Sequence, residues 1–138
     1  TLESFAEVLV PGARAAGVAH YIDAQLSAPE ADSLLMLRYL GVPLSQFANF
    51  YKAGLASSAS LAQAQFGEQN WALLSIEQRL ELVRLISTDS SEDWTGPPSS
   101  FFQFVIRADA CDVVYGTKAG FERIGMPHMA HINAASEW

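Results

Sequence analysis

One stretch, SSFFQFVIRADACDVVYG (residues 99–116), constrains the fold more than any other. Phe101, Phe104, Val105, Ala108, Cys111 and Tyr115 recur at helical spacing on one face, while Phe102, Ile106 and Val113 lie off it. A surface helix carries a single apolar stripe; a helix apolar beyond one stripe is buried on more than one side. This segment, capped by Ser99 or Ser100, therefore has to be surrounded by other elements of the chain.

The rest of the sequence supplies them as helices. Leu2, Phe5, Ala6 and Leu9 make a short amphipathic helix that Pro11-Gly12 stops. Val18, Tyr21, Ile22 and Leu26 make a second stripe after Gly17. Ser27, Pro29, Glu30 and Asp32 read as a helix start, so ADSLLMLRYL is expected to be helical up to Gly41-Val42-Pro43. A long helix then runs from Leu44 or Ser45 to Phe66, with Gly67 as its stop and Phe47, Tyr51, Gly54, Ser58, Leu61 and Gln65 on its face. Its middle, AGLASSASLA, is made of small residues. They either let another part of the chain approach closely or simply form an exposed Ala/Ser-rich surface. NWALLS is a linker with a short apolar anchor, and Ser75 and Gln78 form a capping box for a helix through Leu80, Val83 and Ile86. STDSSEDWTGPPSS is a loop whose Trp94 is expected to tuck onto the core. Thr117 caps a last turn, KAGFERIG. No repeat and no sustained alternating pattern occurs. The expectation is an all-α single domain of six or seven helices over residues 1–138: a helical body, 1–124, and an irregular docking tail, 125–138.

Composition narrows the function. The chain carries 8 Lys and Arg against 15 Asp and Glu, a net charge of −7, and its basic residues are scattered singly. No basic stripe exists to neutralise phosphates, so nucleic acid is not an expected partner. The same holds for an anionic membrane surface. No apolar run approaches the ~18 residues of a spanning helix. Charged residues make up 17% of the chain, below the roughly 25% of average soluble proteins, which leans towards a chain that lives against a partner. The lone Cys111 excludes an internal disulfide and reads as a small buried hydrophobe. The chain begins at Thr1, which suits removal of an upstream signal segment.

Signatures of chemistry are sparse. Glycine-rich phosphate loops, the GxSxG elbow, HExxH and EF-hand loops are all missing. His128 and His131 lie three apart, close in sequence to Cys111 and Asp112, but a structural zinc wants four Cys or His ligands. A stand-alone helical metal-binding protein or enzyme using His128 and His131 is the competing expectation, and His in a tail serves hydrogen-bonded structure more often than catalysis. Of the paired carboxylates, Glu92 and Asp93 sit in a polar loop. Asp109 and Asp112, at i and i+3, are expected at a solvated helix edge or in an interface salt link.

Three segments together are more specific. LVPGARAAGVAHYID, YKAGLASSASLAQAQFGEQNWALLSIEQRLELVRLI and DVVYGTKAGFERIGMPHMAHI resemble, in order and spacing, the gluconate 2-dehydrogenase subunit 3 family. Many members end on a Gly-Gly-Asn-containing motif that this chain lacks, and in that its ending resembles the branch that accompanies glucoside 3-dehydrogenases. The resemblance implies a small subunit without a catalytic site, cofactor or metal of its own. It implies a large partner subunit of the glucose–methanol–choline type that holds the FAD and the catalytic His pair. It implies electron transfer to a cytochrome c or another acceptor, and a twin-arginine signal that exports both chains to the periplasm. The expected role is to bind, stabilise and escort that sugar dehydrogenase. The expected contact residues are Tyr115, Phe121, Met126, His128, Met129, His131, Ile132 and Trp138, because Trp, Tyr and Met favour interface cores. An isolated chain that is poorly soluble or only partly folded follows from the same reading.

Overall fold

The computed structural model describes residues 1–29, 31–89 and 91–127. Among them the chain is helical throughout, in the order α1 (Leu2–Leu9), α2 (Val18–Ser27), α3 (Met36–Tyr39), α4 (Leu44–Phe66), α5 (Ile76–Ser87), α6 (Ser99–Tyr115) and α7 (Lys118–Arg123). The all-α expectation holds. The helix stops work as expected: Gly67 takes up a left-handed conformation after α4, and Ser75 and Gln78 exchange both capping-box hydrogen bonds at the start of α5. Thr117 accepts the Gly120 amide at the start of α7.

α6 lies against each of the other six helices. Its excess of apolar residues is thus accounted for, because a helix surrounded on most sides loses water from more than one stripe. The orientation differs from expectation. Phe102, Val105, Ile106, Ala110 and Val114 are the buried apolar residues, whereas Phe104 is exposed and Phe101, Cys111 and Tyr115 are only half-buried. Two overlapping apolar faces compete in this sequence, and the helix turns the one centred on Phe102 inward. Phe102 stacks on Phe5 with ring centres 5.7 Å apart, and Trp94 and Phe50 each lie at 5.7 Å from it. Trp94 therefore does tuck onto the core from its loop.

The small residues of α4 serve close approach. A Cβ on Gly54 would lie 2.2 Å from the Phe102 ring, and one on Gly96 would lie 3.1 Å from the Ala53 carbonyl oxygen. Trp71, the apolar anchor of the linker, is fully buried and meets Phe5 edge-on at 4.9 Å; its indole N–H donates to the Ser58 carbonyl at 3.1 Å. Two further face assignments change. Gln65 is exposed, and on α5 Leu82 is buried in place of Leu80, which points outward.

The α6 cap is also not the expected one. Pro98 occupies the N-cap position, and the capping acceptor comes from Asp89, ten residues upstream of Ser99. Its carboxylate accepts from the Ser100 amide at 2.8 Å and from the Ser99 and Ser100 hydroxyls. The Ser100 hydroxyl and amide, then the Ser99 hydroxyl, hold this exposed carboxyl down to about 2.

The largest departure lies before α3. The start signal at Pro29 produces only a turn, with the Asp32 and Ser33 amides on the Pro29 carbonyl, and α3 begins at Met36. The reason is competition for amides. The Leu34 amide donates to the Gln25 side chain at 2.7 Å and the Met36 amide to Asp109 at 2.8 Å. Side chains of α2 and α6 thus hold the segment extended, against its local helical preference.

Candidate docking interface

Asp109 connects this segment to the core. It is 0% exposed, on the same inward stripe as Phe102, Val105 and Ile106. One carboxylate oxygen accepts from the Met36 amide at 2.8 Å; the other accepts from the Tyr51 hydroxyl of α4 at 2.5 Å. No cation forms an ion pair with it among the described residues. Burial pushes its carboxyl up to about 6, against the pull of the Tyr51 and Met36 hydrogen bonds, and the nearby Asp112 carboxylate adds to the rise. Tyr51 is itself driven upward, by burial and then by Asp109, and so remains a hydrogen-bond donor. The expectation of a solvated Asp109 is corrected here. Its i, i+3 spacing from Asp112 pointed to the helix edge, while its equal spacing from Ile106 pointed inward.

One turn further along α6, at Asp112 and Val113, the chain forms an open cleft of about 650 Å³. His20 and Tyr21 of α2, Leu34 before α3, Tyr39 at the end of α3, and Asp112 and Val113 of α6 line it. Leu34 is 48% exposed and Tyr39 63% exposed, and Leu40 beside them is also exposed. Burial, then Asp109 and Asp112, push the Tyr21 hydroxyl up to about 12, and it donates to the Leu34 carbonyl at 3.4 Å. A smaller pocket shares Ala16, Val113 and Thr117 with the cleft and extends it to Ala119 and Arg123 of α7. Beyond α7, Ile124 and Met126 are exposed, the latter at 55%. Among the described residues, no group of three or more His, Cys, Asp or Glu is placed to hold a metal ion, and no helix is long and apolar enough to cross a membrane.

The cleft offers apolar and aromatic surface, the imidazole of His20 and one carboxylate, that of Asp112. The family model for gluconate 2-dehydrogenase subunit 3 matches residues 1–127 of the 138-residue chain. The chain belongs to the gluconate 2-dehydrogenase subunit 3 family. No curated protein and no solved structure gives a significant match. Membership makes the chain a subunit of a multi-subunit dehydrogenase, and the exposure of Leu34, Tyr39, Leu40, Ile124 and Met126 agrees with that.

For this subunit the expected contact residues divide into two groups. Tyr115, Phe121 and Met126 are described; Tyr115 and Phe121 are half-buried at the α6–α7 junction, and Met126 is exposed. His128, Met129, His131, Ile132 and Trp138 lie outside the described residues, as does most of the expected tail. Sequence reasoning did not single out Leu34, Tyr39 and Leu40. The start signal before ADSLLMLRYL placed all three in one helix, which holds for Met36–Tyr39 only, and nothing local signals that Gln25 and Asp109 would hold the residues before Met36 out of it.

Proposed function

We propose that this chain is the non-catalytic small subunit of an FAD-dependent sugar dehydrogenase, which it binds, stabilises and escorts to the periplasm. The family match over residues 1–127 carries the reading. The exposed apolar residues Leu34, Tyr39, Leu40, Ile124 and Met126 support it, because apolar surface left in water gains free energy when a partner covers it. In this reading the large subunit holds the FAD and oxidises a sugar or glycoside hydroxyl, and the electrons leave to a cytochrome c or another acceptor. The departure of DVVYGTKAGFERIGMPHMAHI from the Gly-Gly-Asn ending favours a partner of the glucoside 3-dehydrogenase type.

Co-expression with a large flavin-dependent dehydrogenase subunit of the glucose–methanol–choline type tests it. The expected product is a complex with flavin absorption, and deletion of residues 126–138 is expected to abolish co-purification. A monodisperse chain that recruits no flavoprotein, or a complex indifferent to the deletion, contradicts the reading.

A further inference from the structure

The cleft has a chemistry that narrows what can fill it. Its walls are apolar or aromatic: Leu34 and Val113, with the rings of Tyr39 and Tyr21. Its one formal charge is on Asp112, which forms no ion pair among the described residues. Two helix ends also face it. Gly116 and Thr117 bring the C-terminal end of the 17-residue α6, and Gly17 brings the N-terminal end of α2. The two half-charges of opposite sign, about 0.5 each, offset one another, so the carboxylate decides the sign of the cleft.

We propose that this cleft seats an Arg or Lys side chain, flanked by apolar residues, from the large dehydrogenase subunit, with Asp112 as its counter-ion and Leu34 and Tyr39 as its walls. The proposal rests on the functional reading above and names the surface that reading uses. A cationic head fits the carboxylate, and its aliphatic stem fits Leu34 and Val113. The Tyr39 ring, over which Arg38 of this chain lies at 5.9 Å, and His20 complete the wall. Arginine suits the position best, since its planar head pairs with a carboxylate through two parallel hydrogen bonds. Partial desolvation raises the Asp112 carboxyl above its ordinary value although the residue is largely exposed, and a bound cation favours its ionised form. An acidic chain of net charge −7 also gains association rate from a cationic partner segment.

The test uses the full chain and the co-purified complex. Asp112 is exposed, so Asp112→Lys and Asp112→Asn are expected to keep the helical circular-dichroism spectrum and thermal midpoint. Asp112→Lys is expected to weaken binding of the large subunit by about tenfold or more, and Asp112→Asn to reduce its salt dependence. Tyr39→Ser is expected to weaken binding as well. Leu73→Ser, in the linker between α4 and α5, lines no part of the cleft and is expected to bind as wild type. A photo-crosslinker at position 39 is expected to label a segment of the large subunit that carries Arg or Lys. If the wild-type chain captures no flavoprotein, the functional reading falls and this proposal with it. If the complex forms and Asp112→Lys binds as tightly as wild type, the proposal alone falls, whatever Tyr39→Ser does, because the cleft then seats no cation.

Discussion

Asp109 is a carboxylate in the core with two hydrogen bonds and no cation. Ionising it there costs desolvation that two donors only partly return. Its folded value of about 6 stands above the ordinary 3.8, so between these values the folded chain holds a proton that the unfolded chain has released. Stability from this group is therefore full below the unfolded value and is lost as pH rises to about 6, by about 3 kcal/mol at most. Asp109→Asn keeps the shape and an acceptor but has no proton to lose. The difference in unfolding free energy between wild type and Asp109→Asn is expected to shift across that window in favour of the variant, measured by urea titration at a series of pH values. A flat difference would show that Asp109 is not buried as described. Asp109→Ala leaves the Tyr51 hydroxyl and the Met36 amide without a partner, at a cost of about 1–3 kcal/mol each. It should also loosen the 34–40 segment and weaken partner binding.

At the scale of elements, the packing of α4 on α6 turns on an absent side chain. Alanine at position 54 gains up to about 1 kcal/mol of helix propensity. It also places a methyl group 2.2 Å from the Phe102 ring, and Phe102 cannot retreat, because Phe5, Phe50 and Trp94 surround it. Overpacking of this kind costs about 1–3 kcal/mol, so the clash wins. Gly54→Ala is expected to lower the thermal midpoint, and a second change that shortens Phe102 to Leu is expected to recover part of the loss. A midpoint raised by Gly54→Ala alone would contradict the close approach.

For the whole molecule, the apolar core runs from Phe5 to Val114 and draws on α1 to α6. Met126 and Pro127, the described residues of the 126–138 deletion, are exposed and lie outside that core. Surface changes fall within about 0.5 kcal/mol, which for a chain of this size is a shift of roughly 2 °C. The deletion is therefore expected to leave cooperative thermal unfolding nearly unchanged while removing partner binding. A large drop in midpoint would mean that the tail belongs to the body. If the isolated chain proves poorly soluble while the deletion leaves its unfolding cooperative, the exposed Tyr39 and Leu40, rather than incomplete folding, are the expected cause.

Much of this was legible in the sequence because it depends on neighbours along the chain. Helical periods placed α1, α2, α4, α5 and α6, and local stop and cap chemistry at Gly67, Ser75 and Thr117 set their ends. The order of three motifs was enough for the family. Contacts between distant parts decided the rest. Which of two apolar faces α6 turns inward depends on the aromatic cluster around Phe102, and the burial of Asp109 depends on Tyr51, 58 residues away. Residues 31–40 read as helix by their own signals, yet amide bonds to Gln25 and Asp109 keep 33–35 out of it, so that only Met36–Tyr39 is helical and Leu34 and Tyr39 line the cleft. Local propensity amounts to a few tenths of a kcal/mol per residue, and a buried hydrogen bond to a carboxylate exceeds it.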